Sequence, residues 1–375
     1  MIKKFIYACG VVCAVLSAAS CSKMSAVPTP GEEVQFGVAT SNAFQTRTLY
    51  GADADDESSV KIKWVDGDRM MIFGTTCMEG SNPSEYAVNV DGSDYSGYIT
   101  KTGAMGLRWG EQATSDFVAI YPSRDAVFSM EGGAVNAASS ISSSQNYLFD
   151  NAISGDGVWK GTHYGSDITT PSMENAVMYA CTYGVSPGKD ISLAFKPANT
   201  ALRFRFMGFS SNIQEAQKGI VIESVTVTAP VGYQIAGKFN ISVPSTKKEY
   251  DQNSIKASTI QNSETGNSIT VSTRKSANSY LKVYGGQAVE FSVFMVPLSG
   301  QEVSVKNPWL VSIKIEGRPD PLQYHLRPKE ASSVFELIPG YIHRVKIPML
   351  EELTGSETTI YDAFIGLDSD DSELN

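Results

Sequence analysis

The chain is poor in the residues from which active sites are most often built. It has three histidines, His163, His325 and His343, in 375 residues. None stands at metal-ligand spacing from another histidine or a cysteine, which excludes the short motifs of zinc sites. No serine elbow, phosphate loop or dinucleotide fingerprint occurs. Basic runs are missing as well, and the formal net charge is −10. Such a surface repels phosphate backbones, so nucleic acid is excluded as a partner. Helical periodicity over three or more turns is scarce between residues 34 and 349, which argues against a helical core. The chain does not read as an enzyme, and no cofactor or metal is expected. A carboxylate pair for glycoside hydrolysis leaves no local spacing signal, so the sequence says nothing about one.

Cysteine is scarce in an ordered way. Of Cys9, Cys13, Cys21, Cys77 and Cys181, the first two lie in an N-terminal segment built like an export signal. Lys3 and Lys4 form its basic start and Phe5 to Leu16 its apolar stretch. Ser17, Ala18, Ala19 and Ser20 then lead into Cys21. This is too short and wrongly flanked for a lasting membrane span, and it predicts a secretory signal over 1–20. A cysteine directly after small residues is similar to a bacterial lipobox, although Ala18 stands where leucine is usual. Acylation of Cys21, by palmitate among other chains, is therefore expected, with plain cleavage as the alternative. Residues 21–33, polar and containing proline, suit a tether. Loss of 1–20 removes two lysines and no acid, taking the charge from −10 to −12. Cys77 and Cys181 remain, and their spacing gives no disulfide framework; two separate thiols and one bridge both stay open.

What the chain has is alternation. Val34, Phe36 and Val38 make a short strand. Val60, Ile62 and Trp64 alternate up to Asp66-Gly67-Asp68, a turn signal, and Met70 and Ile72 follow, so a β-hairpin is expected here. Strands are also expected over 85–90, 95–100, 116–121, 177–183, 191–195, 202–206, 220–229, 280–284, 289–296, 310–315 and 341–347. In the last, Tyr341, His343, Val345 and Ile347 share a face, making His343 a core histidine rather than a ligand. The Ser-rich run 137–146, the acidic run 51–59 and the polar run 243–267 read as loops. Asp53, Asp55, Asp56 and Glu57 could hold Ca²⁺, but a solvated turn explains them better. Trp64, Trp109, Trp159 and Trp309 could stack on sugars; core packing suits Trp64, and Trp159 lies in a Gly-rich context that suits exposure. Ser186-Pro187-Gly188 marks a boundary. The economical architecture is two antiparallel β-sandwich domains, 34–187 and 188–349. An acidic tail, 350–375, encloses the apolar island Thr359 to Leu367, readable as strand or as short helix.

Four stretches carry a resemblance. Thr46-Arg47-Thr48 with its acidic turn and IKWVDGDRMMIF, then DFVAIYPSR (116–124), LAFKPANTALRFRF (193–206) and FELIPGYIHRVKI (335–347), resemble the fimbrillin family of Bacteroidales type V pilus lipoproteins. The resemblance implies an all-β fold of two transthyretin-like β-sandwich domains in tandem. It implies an outer-membrane, cell-surface location in a fimbrium and adhesion as the purpose. A trypsin-like, arginine-specific protease would cut between Arg47 and Thr48 and release the first strand, carrying Val34, Phe36 and Val38. A donor strand from another subunit, of self or related kind, would fill the vacancy. Carried onto the tail, the donor residues are Ile360, Tyr361, Phe364, Ile365 and Leu367. A host or microbial surface ligand is a further partner. The alternative is a surface lipoprotein that binds glycan or a host ligand without polymerising.

Overall fold

The computed structural model describes residues 30–39, 50–53, 56–62, 64–90, 96–131, 134–148, 170–171, 173–189, 191–207, 220–244, 246–251, 256–260, 265–276, 279–283, 288–297, 300–330, 332–347 and 360–367. The fold is all-β, as its alternation predicts, with several antiparallel sheets.

One sheet has eight strands, in the spatial order Ile191–Leu193, Phe36–Ala39, Ser96–Lys101, Ser84–Val90, Arg69–Gly74, Ser115–Tyr121, Met178–Val185 and Lys196–Pro197. A larger sheet runs Thr170–Pro171, Ser144–Leu148, Ser268–Ser272, Ile220–Thr228, Trp309–Ile315, Leu322–Arg327, Ile360–Leu367, Ile342–Ile347, Thr200–Met207 and Ala288–Met295. A four-stranded sheet places Ala134–Ile141 between Val127–Glu131 and Gly237–Ser242, with Lys256–Ile260 outermost. Pairing thus crosses residue 187: Ala134–Ile141 pairs with Gly237–Ser242, and Ser144–Leu148 runs parallel to Ser268–Ser272.

Two apolar cores meet at a common wall. In Ser115–Tyr121, Phe117, Ala119 and Tyr121 face one core while Val118 and Ile120 face the other. Met178 and Ala180 oppose Tyr179 and Cys181 in the same way on the neighbouring strand. A near-continuous apolar run such as Phe117 to Tyr121 is what a strand buried on both faces requires.

Several sequence expectations are corrected. Asp66-Gly67-Asp68 does turn, with Gly67 at φ +87°, a conformation that costs glycine little. The strand before it does not pair with the strand after it. Both edges of Arg69–Gly74 are taken, by Ser84–Val90 and Ser115–Tyr121, which leaves no edge for Asp56–Ile62. That strand pairs instead with Tyr50–Asp53, so the hairpin lies one strand earlier and the acidic run forms it. The Ser-rich run belongs to Ala134–Ile141 and Ser144–Leu148 rather than to a loop. The polar run 243–267 contains a short helix, Lys247–Asp251, and the strand Lys256–Ile260. Tyr341 lies outside its strand and is 48% exposed. The tail island is a strand.

Candidate functional site: the slots of the two terminal strands

The first strand is an interior strand. Phe36–Ala39 runs antiparallel to Ser96–Lys101 (Gly37 opposite Tyr98) and parallel to Ile191–Leu193 (Phe36 opposite Ile191). The chain before it is tied down too. Val34 N–H donates to Leu107 O at 2.8 Å, Trp109 N–H to Glu32 O at 3.0 Å, and Gly31 N–H to Trp109 O at 2.8 Å.

Alternation sends Val34 and Phe36 inward, to 1% and 7% exposure. The Phe36 ring meets Tyr86 and Phe117 edge-on, with centroids 5.3 and 5.2 Å away, a favoured aromatic geometry. Tyr86 is fixed in turn, because its hydroxyl accepts from Leu107 N–H at 2.7 Å. On the outer face Glu33 pairs with Lys101 at 2.7 Å. Gly97, opposite Val38, is required by close backbone approach: a Cβ there would lie 2.3 Å from Asn89 O. Burying two apolar side chains and pairing both edges makes the segment an integral part of the core.

The C-terminal strand, Ile360–Leu367, occupies the equivalent kind of place in the larger sheet. It runs parallel to Leu322–Arg327 and antiparallel to Ile342–Ile347. Ala363 and Ile365 point into the core at 0% and 4% exposure, while Ile360 is 44% exposed. Asp362 sits on the outer face and pairs with Arg327. The hydrogen bond from that guanidinium holds its carboxyl below the usual carboxylate range. The acid that looks out of place in an apolar island is therefore a solvent-side charge.

Beside this slot lies His343, fully buried and opposite Leu367. Ile338 N–H donates to its Nε2 at 3.1 Å, and Phe335 stands edge-on at 5.3 Å. Burial pushes its pKa down to about 4, so it is neutral in the folded protein at neutral pH.

Of the residues singled out in the sequence, Val34 and Phe36 fill the first slot, with Val38 in register opposite Gly97 and Leu193. Ile360, Tyr361, Phe364, Ile365 and Leu367 all belong to the C-terminal strand, in the other sheet. Cys21, Arg47, Thr48 and Trp159 lie outside the described residues. Trp64, Trp109 and Trp309 are buried at 3%, 3% and 0%, so none offers a face to a sugar. Trp64 packs edge-on against Tyr121 and Phe195. Cys77 and Cys181 are free thiols, and burial pushes them up to about 11 and about 12. Among the described residues no three of His, Cys, Asp and Glu stand together as metal ligands would. No described helix is long and apolar enough to cross a membrane. Sequence reading missed Glu33, Lys101 and Arg327, whose roles depend on which strands become neighbours.

No family model matches the chain, and no curated protein matches it. Solved structures do. A candidate cell adhesion protein from Bacteroides ovatus is 11% identical at TM-score 0.47, over 90% of this chain and 96% of that one. A fimbrial assembly protein from Parabacteroides distasonis is 10% identical at TM-score 0.30, over 84% and 92%. The tip fimbrial protein Mfa3 from Porphyromonas gingivalis, truncated at its C-terminus, is 10% identical at TM-score 0.32, over 89% and 98%. These three neighbours are described as cell adhesion and fimbrial proteins.

Proposed function

We propose that the chain is an adhesive pilus subunit, exported as an outer-membrane lipoprotein through Cys21 and assembled at the cell surface by protease-triggered strand exchange. The observation that carries this reading is the place of Phe36–Ala39. A segment close to the N-terminus, joined to the rest through the stretch holding Arg47, is the second strand of an eight-stranded sheet. Cutting after Arg47 would detach it and leave a slot with two unpaired edges and an aromatic floor of Tyr86 and Phe117. Such a slot recruits an extended segment, because main-chain hydrogen bonds supply affinity and alternate side chains supply specificity. While the resident strand is in place, those edges are covered and the subunit cannot associate prematurely.

The partners under this reading are other subunits, the outer membrane through the lipid, an arginine-specific protease and a surface ligand. N-terminal sequencing of assembled protein tests it. A start at Thr48 is expected, and Arg47→Ala should remove polymer ladders from gels. Ladders that persist in Arg47→Ala, on chains that still begin at Cys21, would overturn the mechanism.

A further inference from the structure

Alternation and pairing assemble a group of bases that no run in the sequence announces. In Thr200–Met207 the side chains of Leu202, Phe204 and Phe206 enter the larger core, so Arg203 and Arg205 take the opposite face. In Ile342–Ile347 the side chains of His343, Val345 and Ile347 are buried, which turns Arg344 and Lys346 outward on that same face. The two strands run parallel, in a register that sets Arg203 beside Arg344 and Arg205 beside Lys346. Strand geometry spaces the four Cα atoms about 5 Å across the pair and about 7 Å along it.

Neighbouring positions add little opposing charge. Beyond Arg203 and Arg205 stand Ser292 and Glu290, and beyond Arg344 and Lys346 stand Gly366 and Phe364. These two rows hold four bases and one acid, in a chain whose formal net charge is −10. All four bases are partly exposed. Like charges set directly opposite each other weaken a sheet, so the arrangement gains from an anion. One row earlier on the same face, Ala201, Ile342 and Phe294 pack against the smaller core. The bases therefore begin at the foot of a wall, in the corner between the two cores.

We propose that this corner binds an acidic polysaccharide, a linear chain carrying carboxylate or sulfate groups. Three of the four bases are arginines, whose planar forks pair with such groups through two parallel hydrogen bonds. The rectangle is longer than a single anion, so it suits repeated charges. A flat membrane surface cannot follow the wall into the corner, whereas an extended chain can run along it. Four bases on a chain this acidic are too few for the phosphate contacts that hold nucleic acid. Gly366, without a side chain, leaves room on one flank of Arg344. The site gives the adhesive reading a chemistry for its surface ligand and rests on that reading for its use in attachment; binding itself needs no strand exchange.

Biolayer interferometry on the uncut full chain tests this, with polygalacturonate, dextran sulfate, neutral dextran and poly-glutamate as probes. Polygalacturonate or dextran sulfate should bind at low salt and weaken as salt rises, and neutral dextran should not bind. A chain of this net charge repels polyanions in general, so binding reports a local site. Arg203→Gln combined with Arg344→Gln should lower affinity at least about tenfold. Arg205→Gln combined with Lys346→Gln should do the same, and serves if the first pair fails to fold. Lys314→Gln alters a base of the same sheet that pairs with Glu223 at 3.1 Å, and should leave affinity unchanged. Absence of binding by both acidic polysaccharides overturns the proposal, as does an equal loss in Lys314→Gln. Preference for poly-glutamate over both also overturns it, in favour of an interface for an acidic protein segment. Failure here leaves the Arg47→Ala test of assembly standing, and failure of that test leaves this site standing.

Discussion

Truncation of Phe36 to alanine probes whether the first strand is part of the core or a dispensable lid. The ring is 7% exposed and lies edge-on to both Tyr86 and Phe117 at 5.3 and 5.2 Å. Removing a buried phenylalanine costs about 3–5 kcal/mol, and each aromatic pair adds roughly 0.5–1.5 kcal/mol beyond buried area, part of it already in that range. The strand is short and close to an end of the chain, so the loss should appear first as local opening rather than as global unfolding. Amide hydrogen exchange read by mass spectrometry is the suitable assay. Peptides covering 31–39, 96–101 and 191–193 should exchange about 100-fold faster or more in Phe36→Ala, since roughly 3 kcal/mol corresponds to that factor. Peptides of the larger sheet, such as 309–315, should be unaffected. Wild-type exchange rates in all three segments would refute the argument that this side chain holds the strand in place.

Other perturbations separate the contributions further. His343 is neutral when buried and charges readily when unfolded, so the unfolded chain binds more protons as pH falls. Stability is therefore full above the ordinary histidine pKa and is lost toward about pH 4. By linkage the loss is roughly 2 kcal/mol between pH 8 and pH 5, and urea midpoints for wild type and His343→Leu should converge on acidification. Gly97→Ala drives a Cβ onto Asn89 O, backbone that cannot swing aside, and should cost about 3 kcal/mol in denaturant melts. Asp362→Asn removes a pair whose carboxylate is 44% exposed, so it should cost less than about 1 kcal/mol. Gln145, 3% exposed, donates to Phe294 O at 2.6 Å and accepts from Phe294 N–H at 3.2 Å. Gln145→Leu leaves both backbone groups buried without that partner and should cost about 2–5 kcal/mol.

The class of the fold was legible because most strands carry strong alternation. Leu202, Phe204 and Phe206 announce their face without ambiguity, and the structure buries Phe204 and Phe206 fully. Where contrast fails, so does reading. In Ala134–Ile141 the inward positions are Val135, Ala137, Ser139 and Ile141. A buried Ser139 and an outward Ala138 erase the polar–apolar difference that marks a strand. The misplaced hairpin has another cause. Turn chemistry at Gly67 shows that the chain reverses, but which strands then pair is decided by competition for edges among segments far apart in sequence. The slots show the same division. Val34 and Phe36 could be read as a strand face, whereas Lys101 and Arg327 became meaningful only once their strands had neighbours.

Under the strand-exchange reading, the hold of the resident strand on its slot bears on when exchange can occur. Val34 and Phe36 are 1% and 7% exposed, and at about 0.8 kcal/mol per buried carbon their packing makes the resident strand costly to displace. The resident is also tethered to its slot, so it competes at the high effective concentration of an intramolecular segment. Both terms oppose exchange in the uncut chain. On that reading cleavage after Arg47 would remove the tether but not the packing, so the released segment would have to dissociate and dilute away before a donor strand prevailed. Holding excess synthetic peptide of residues 30–47 with processed subunits should therefore slow polymer growth in proportion to its concentration. The same peptide carrying Phe36→Ala should have little effect. Equal inhibition by both peptides would show that the aromatic pocket does not decide which strand the slot retains.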